Sequence, residues 1–340
     1  MLTVVASPGV AFGQAAFDRS TADHATVVMY HRFGEDELTA TNTTLAQLDA
    51  HIAYLSAGAF TVWPLMRIIQ AIRNGEPLPD KTVAITIDDA FASLAAHALP
   101  RFKAAGLPVT LFVSTDQVGS SAVGYMTWDD VRQAVRDGVD IGAHTVNHVH
   151  LVDVPIEVAR HEIVDANRRF QAELGFVPQL FAYPYGEASL AVRAIVMEAG
   201  YVAAFGQHSG VLHESEDPFY LPRFALNEKY GTIDRFRTLA SAQPLMARDV
   251  TPSDMTLEPS DNPPAFGFTV DPAVGDLAAL ACYASGAGKL SLQRLGGRRI
   301  EARLPQRLEP GRHRVNCTAP AAGGRWRWFG RQFYVPVPAG

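Results

Sequence analysis

Between residues 26 and about 236, short apolar runs alternate with longer amphipathic stretches, and this alternation constrains the fold more than any other feature. The runs are short and several are rich in β-branched residues, which favours buried strands over helices. The predicted strands are residues 26–30, 82–87, 109–113, 139–143, 180–183 and 201–205. Strands that alternate with helices predict a parallel sheet or barrel. In a parallel barrel the active site lies at the carboxyl ends of the strands.

The stretches between these runs carry helix signals. Leu45, Leu48, Ile52 and Leu55 recur at helical spacing, and Thr127 precedes two aspartates as a helix cap would. The predicted helices are residues 45–58, 93–106, 127–138, 155–175 and 189–200. We therefore expect an α/β domain over residues 23–242.

The composition changes after about residue 241. Five prolines punctuate residues 243–264, which predicts a linker. Predicted strands follow at 266–270, 277–283, 289–295, 299–304, 312–317 and 325–335. Such spacing indicates a small all-β immunoglobulin-like sandwich over residues 265–340. We expect Cys282 and Cys317 to form a disulfide across this sandwich, the alternative being two buried free thiols.

Charge and hydropathy exclude some classes of protein. The formal net charge is −6 and no basic run occurs, which argues against a nucleic-acid partner. No apolar run reaches the roughly 18 residues that a transmembrane helix needs. Residues 1–22 form an apolar leader that resembles the back half of a secretory signal peptide, although a basic start is missing. We therefore expect export to the periplasm or the extracellular space, the alternative being a disordered apolar leader.

Two adjacent carboxylates, Asp88 and Asp89, end the second predicted strand. Burying a carboxylate is costly unless it is paired, hydrogen-bonded or bound to a metal. Two neighbours can divide the work, one as a metal ligand and the other as a base. Taken alone, capping of the next helix is the more common role.

Two further motifs follow later strands. His144 and His148 are four residues apart, so both can reach one ion from the same side of a helical turn, although solvated loop histidines give the same pattern. In Pro184-Tyr185-Gly186, a rigid residue and a flexible one allow a sharp bend that aims a backbone N–H at a ligand. Together, one Asp and two His supply the three protein ligands of a catalytic zinc-type site and leave a fourth position for water.

These motifs resemble those of the polysaccharide deacetylase family, also called the NodB-homology or carbohydrate esterase 4 family. The resemblance covers residues 27 to about 224, and it implies a distorted (β/α) barrel that removes acetyl groups from N-acetylated sugars. It implies Asp88 as the general base and Asp89, His144 and His148 as ligands of a divalent metal. That metal would be zinc, with cobalt or nickel as alternatives, and it would activate the attacking water. The backbone N–H of Tyr185 would bind the oxyanion.

The sequence departs from the family pattern at two positions. Ala90 stands where the family usually has Gly, and Ala182 stands near the place of an Arg that steadies the base. The run Phe-Ala-Tyr-Pro-Tyr-Gly is similar to that of the poly-N-acetylglucosamine deacetylase-like branch. The general acid is not assigned, and His208 and His213 are candidates, with surface histidines as the alternative interpretation of both.

Further candidate substrate contacts are His31, Tyr183 and Trp128. A core or rim position is the alternative for His31, and packing at a helix start is the alternative for Trp128. The expected partner is an acetylated glycan. Two other functions remain open: a non-catalytic glycan-binding protein that keeps the barrel, and a metal-dependent amidase acting on a small non-sugar substrate.

Overall fold

The computed structural model describes residues 21–119 and 124–337. Its α-helices are α1 Leu45–Ser56, α2 Leu65–Arg73, α3 Leu99–Ala104, α4 Thr115–Gly119, α5 Trp128–Arg136, α6 Ile156–Leu174, α7 Leu190–Glu198 and α8 Ile233–Ala240. A π-helical segment, Leu94–Ala98, leads directly into α3.

The strands of the first part of the chain are β1 Thr21–Ala22, β2 His24–Tyr30, β3 Arg32–Phe33, β4 Asn42–Thr43, β5 Thr61–Val62, β6 Leu78–Pro79, β7 Thr82–Asp88, β8 Val109–Val113, β9 Asp140–Ala143, β10 Leu180–Ala182, β11 Ala203–Phe205, β12 Leu212–His213 and β13 Phe224–Ala225. Those of the second part are β14 Gln243–Pro244, β15 Ala247–Thr251, β16 Phe266–Val270, β17 Ala281–Ala284, β18 Gly288–Lys289, β19 Ser291–Leu295, β20 Arg299–Arg303, β21 Gly311–Pro320 and β22 Trp326–Val335.

The first part of the chain folds around a curled sheet with the order β11-β10-β9-β8-β7-β2-β12. Neighbours from β2 to β11 are parallel, and the helices lie in the connections between them. Leu221 pairs with Phe205 of β11, and Phe224 pairs with Val28 of β2, so one segment lies between the two edges of the parallel set. The predicted α/β distorted barrel is therefore confirmed.

Local sequence accounts for the helix boundaries. Thr44 and Thr127 each form a capping box at the start of a helix, which satisfies backbone donors that a helix leaves free. Gly175 ends α6 with a φ of 80°, a conformation that costs glycine little. Each of the five predicted helices is present with its ends shifted by a few residues, whereas α2, α4 and α8 were not predicted.

The barrel interior is an apolar cluster of alternate strand residues, closed by α2. Phe112 lies at its centre and touches Phe205 with ring centroids 5.8 Å apart. A Cβ atom at Gly142 would come within 2.3 Å of the Phe112 ring, so glycine at this position makes room for the aromatic side chain. The interior is therefore packed, and the functional site lies above it.

The second part forms two sheets, β14-β22-β21-β17-β18 and β15-β16-β20-β19, around an apolar cluster that includes Phe266, Phe268 and Phe333. A β-rich module is thus present, while the immunoglobulin-like assignment stays a prediction. Cys282 and Cys317 are disulfide-bonded. The predicted disulfide is therefore confirmed. The two cysteines are register partners on β17 and β21 of one sheet, so its expected position across the sandwich was wrong.

The predicted linker 243–264 contains strands. β14 pairs with β22, and β15 pairs with β16, so this segment contributes an edge to each sheet. Pro244 lies in β14, and the other four prolines fall between strands. The predicted leader, residues 1–22, lies outside the described residues except for Thr21–Ala22, which pairs with β6. None of the described helices is long and apolar enough to cross a membrane.

Candidate functional site

The two aspartates at the end of β7 occupy different environments. Asp88 is fully buried, whereas the side chain of Asp89 is 13% exposed. The backbone turns sharply here, with φ values of 76° at Asp89 and 56° at Ala90. Only glycine adopts such values routinely, so the alanine at position 90 carries backbone strain. The turn directs the two neighbouring carboxylates to different partners.

Asp89 faces both histidines of the second motif. Its Oδ1 lies 3.3 Å from Nε2 of His144 and 3.2 Å from Nε2 of His148. Nδ1 of His144 lies 2.6 Å from the carbonyl oxygen of Ala182. Because a carbonyl only accepts, Nδ1 carries the proton and Nε2 presents its lone pair. This is the form of imidazole that binds a metal.

The chemistry of these donors fits a divalent metal. The ligand atoms of Asp89, His144 and His148 lie within 4.8 Å of one another. Oδ1 of Asp89 and Nε2 of His144 are buried and have no hydrogen-bond partner among the described residues, a state that is costly unless another ligand is bound. Burial alone would raise the pKa of Asp89, but the adjacent imidazoles of His144 and His148 outweigh it and hold that pKa well below its ordinary value. The cluster can therefore supply one carboxylate and two imidazoles.

A buried glutamate holds the histidine loop in place. Oε2 of Glu162, on α6, accepts hydrogen bonds from the backbone N–H groups of Val146 and Asn147, at 3.1 and 2.8 Å. Its Oε1 accepts a third from the Asn147 side chain at 2.8 Å. The N–H of His148 donates to Oγ1 of Thr145. These bonds fix the loop although Thr145 and His148 both have positive φ values.

An arginine that was not predicted balances the charge of Asp88. Arg223 is fully buried, and its Nη1 and Nη2 donate to Oδ1 and Oδ2 of Asp88 at 2.7 and 2.8 Å. Its Nη1 also donates to Oγ1 of Thr86, and its Nε donates to the carbonyl of Gly206. The sequence does contain a signal, since Arg223 is the one charged residue in the apolar run from Phe219 to Leu226.

A cleft opens beside this cluster. It has a volume of about 410 Å³ and is lined by His31, Asp89, His148 and Tyr185 from the barrel, and by Ser285, Arg312 and Arg314 from the β module. A volume of this size is within the usual range for a ligand pocket. The structure thus brings the predicted residues His31 and Tyr185 to the same cleft as two of the predicted metal ligands.

The β module holds the Tyr185 turn. Tyr185 has a φ of 59°, and its carbonyl accepts a hydrogen bond from Nε2 of Gln332 at 3.1 Å. Its ring stacks on His150, with centroids 3.9 Å apart. Glycine is required next in the chain, because a Cβ at Gly186 would come within 2.4 Å of the Gln207 backbone.

Three predicted contacts with substrate or leaving group lie in the core instead. Trp128 is 7% exposed and packs edge-on against Phe170, as expected for an aromatic residue at the first turn of α5. Tyr183 is fully buried and donates its hydroxyl to the carbonyl of Phe219. His208 is 1% exposed and stacks on Tyr220. The assignment of these side chains to the cleft was therefore wrong.

Neither candidate acid is placed to act as one. Burial and the neighbouring arginines Arg331 and Arg314 hold the pKa of His208 well below its ordinary value, so its imidazole is neutral near pH 7. His213 pairs with His24, which begins β2, whereas the candidate site lies where β2 ends. His213 is thus at the opposite end of the barrel, and no residue is assigned as a separate acid.

A parallel barrel with an Asp/His/His cluster above the carboxyl ends of its strands defines an α/β-barrel protein with a candidate metal centre. Comparison with known proteins narrows this class. Residues 75–204 match the family described as Polysaccharide deacetylase. The predicted resemblance to this family is therefore confirmed for residues 75–204.

The chain is also similar to named relatives and to solved structures. The poly-beta-1,6-N-acetyl-D-glucosamine N-deacetylase of Escherichia coli (strain K12) is 26% identical over 50% of this chain and 31% of the relative. The Streptococcus pyogenes deacetylase PplD, solved in complex with acetate, has a TM-score of 0.59 at 20% identity and covers 64% of this chain and 98% of its own. IcaB from Ammonifex degensii has a TM-score of 0.58 at 20% identity, with 65% and 98% covered.

These similarities support different statements about the chain. The two solved structures show the barrel fold. This chain spans about a third of the Escherichia coli relative.

Proposed function

We propose that this protein is a metal-dependent hydrolase that removes N-acetyl groups from a polysaccharide or oligosaccharide containing N-acetylglucosamine. One observation carries the proposal: Asp89, His144 and His148 converge on a single point, beside the buried Asp88–Arg223 pair and at the wall of a cleft. The family match over residues 75–204 and the named activity of the Escherichia coli relative support the choice of substrate.

The metal ligands in this proposal are Asp89, His144 and His148. A bound divalent cation, zinc or alternatively cobalt or nickel, would polarise the acetyl carbonyl and lower the pKa of water at the site. The hydrogen bond from His144 to the Ala182 carbonyl keeps Nε2 free for this purpose. Glu162 keeps His148 in reach by fixing the loop that carries it.

Asp88 is the proposed general base. Burial alone would raise the pKa of Asp88, but the charge and hydrogen bonds of Arg223 outweigh it, so the pKa lies below its ordinary value and the carboxylate is ionised at neutral pH. Each carboxylate oxygen accepts one bond from Arg223 and keeps another lone pair to take a proton.

The overall reaction is balanced. Water adds its oxygen to the acetyl carbon, and Asp88 accepts a proton from that water. The carbon–nitrogen bond then breaks, and the departing amine takes up one proton in return. The products are acetate and a free amine. The backbone N–H of Tyr185 is the proposed donor to the oxyanion that forms on the carbonyl.

The test is acetate release from N-acetylglucosamine oligomers, measured with metal present and after chelation. Release that stops on chelation and returns with zinc supports the proposal, and no release from any acetylated glycan with metal replete contradicts it. Asp88→Asn should abolish release while the protein keeps its metal. Asp140→Asn is the matched control, because Asp140 begins β9 at the other end of the barrel, and it should leave release unchanged.

A second candidate is a non-catalytic glycan-binding protein that keeps the barrel. The strained φ of 56° at Ala90, where the family usually has glycine, favours it. Metal-free, inactive protein that still binds polysaccharide would support this second candidate. A panel that includes small acetylated amines tests the metal-dependent amidase alternative. Export to the periplasm or the extracellular space, where such polysaccharides lie, also remains a proposal.

A further inference from the structure

The β module forms one side of the cleft. Ser285, Arg312 and Arg314 share a cavity with Asp89, His148 and Tyr185. Arg312 and Arg314 are two residues apart on β21, so their side chains leave the same face of the strand. This arrangement places two guanidinium groups opposite the barrel residues of the proposed active site.

Arg312 keeps donors free for a ligand. Its side chain is 40% exposed, and its Nε lies 3.4 Å from Oε1 of Glu187. Nη1 makes a long contact, 3.4 Å, with the Tyr185 carbonyl. The other oxygen of Glu187 is engaged by Nδ1 of His150 at 2.7 Å. Glu187 is therefore shared, and it neutralises Arg312 only in part.

Arg314 has neutral partners in the described part of the chain. Its Nε donates to Oε1 of Gln332 at 3.0 Å, and its Nη2 contacts Oε1 of Gln207 at 3.4 Å. Neither amide carries charge, and Arg314 forms no ion pair with a described carboxylate. Among the described residues that line the cleft, the one carboxylate is that of Asp89, which belongs to the metal cluster. The cleft therefore carries excess positive charge on its β-module side.

We infer that Arg312 and Arg314 bind an oxyanion of the glycan, a carboxylate or a phosphate ester, next to the acetylated sugar. The inference rests on the proposed function, and it narrows the substrate class to acetylated glycans that carry acidic groups. A planar guanidinium binds carboxylate and phosphate through two parallel hydrogen bonds. The two arginines would thus set which glycan enters the cleft, while the barrel residues act on the acetyl group.

The test compares matched ligands by calorimetry on the full chain. One is a tetrasaccharide of alternating N-acetylglucosamine and glucuronate, and the other is the same molecule with its carboxyl groups reduced to alcohols. We expect the acidic form to bind about tenfold or more tightly at low salt, with the difference shrinking as salt is added. N-acetylglucosamine 6-phosphate against N-acetylglucosamine gives the corresponding comparison for a phosphate ester.

Substitutions test whether Arg312 and Arg314 cause the preference for the acidic ligand. Arg312→Gln and Arg314→Gln should each remove most of the preference for the acidic ligand and leave binding of the reduced form within about twofold. Arg314→Lys should keep part of it, since the charge remains but the planar fork is lost. Arg303→Gln is the matched control, because Arg303 lies on β20 of the other sheet. Because Arg312 is exposed, Arg312→Gln should fold. It therefore still tests the inference if Arg314→Gln does not fold.

The outcomes separate this inference from the proposed function. Equal binding within both matched pairs, the carboxylate pair and the phosphate pair, overturns the inference, as does a preference that persists in both glutamine variants. Binding is read without turnover, so a protein that shows the preference but releases no acetate contradicts the proposed function alone. A protein that deacetylates neutral oligomers and shows no preference contradicts this inference alone.

Discussion

Replacing Arg223 with methionine should destabilise the protein strongly. The guanidinium is fully buried, and it makes two charge-assisted bonds of 2.7 and 2.8 Å with Asp88. It also donates to Thr86 and Gly206. The substitution leaves a buried carboxylate without its counter-charge, and a methionine of similar length does not restore any of these bonds.

The magnitude follows from the burial of both partners. Removing one member of a buried ion pair costs about 3–5 kcal/mol, because the remaining charge is uncompensated. Arg223→Lys keeps the charge and loses the paired geometry, so it should cost about 1–3 kcal/mol. When Asp88→Asn is combined with Arg223→Met, the loss should fall below the sum of the single losses by up to about 3 kcal/mol.

The assay is urea unfolding of the four variants at neutral pH, followed by circular dichroism. Arg235→Met is the matched control and should cost about 1 kcal/mol. Among the described residues, Arg235 donates to the carbonyls of Ala225 and Tyr230 and pairs with no carboxylate. A loss below about 1 kcal/mol for Arg223→Met would refute the reasoning. So would additive losses in the double variant, since they would mean that Asp88 and Arg223 do not interact.

Three further predictions concern packing, metal affinity and pH. Gly142→Ala should destabilise the barrel by about 1–3 kcal/mol in urea unfolding, because its Cβ would lie 2.3 Å from the Phe112 ring. Adding Phe112→Leu should recover part of the loss. An unchanged free energy of unfolding for Gly142→Ala would contradict this reasoning. Glu162→Ala should weaken zinc binding about 10–100-fold in competition titrations, because the loop that carries His148 loses its anchor, and unchanged affinity would count against that role. Burial lowers the pKa of His51 to about 4, against about 6.5 in the unfolded chain, so the neutral form is favoured in the fold. The contribution of neutral His51 to the free energy of unfolding is complete above pH 6.5 and falls as pH falls, by about 2 kcal/mol at pH 5. A His51→Gln variant should therefore lose less stability than the parent protein between pH 8 and pH 5.

The sequence was informative where a local pattern fixes the structure. Apolar runs with β-branched residues located the barrel strands, and caps such as Thr127 located helix starts to within a residue or two. The converging cluster could also be foreseen, because Asp89, His144 and His148 each follow a strand and parallel strands end at one edge. The sequence also marked Ala90 as a departure, at a position where the family usually has glycine, and the structure shows a φ of 56° there.

Long-range packing decided what the sequence did not predict. Trp128 and Tyr183 are aromatic residues next to motif residues, and only the packed structure shows that Phe170 and the Phe219 carbonyl take them into the core. The part played by the β module depends on how β21 and β22 dock on the barrel. The sequence around Arg312 and Gln332 does not predict that both side chains contact Tyr185.

Asp88, the proposed base, keeps its charge balance although the chain departs from the family pattern at position 182, because Arg223 supplies the counter-charge. Ala182 lies in the apolar cluster with Phe112 and Phe205, and its contribution to the site is a carbonyl, which any residue supplies. Arg223 reaches Asp88 from the segment between the two barrel edges, with its guanidinium 5.2 and 5.9 Å from the centroids of those same two rings. A buried carboxylate needs a counter-charge, but that charge can come from any neighbouring segment. Arg223 therefore supplies the charge that an arginine near position 182 would otherwise supply, and Ala182 can be small. The missing arginine in the third motif is therefore no evidence against a functional base.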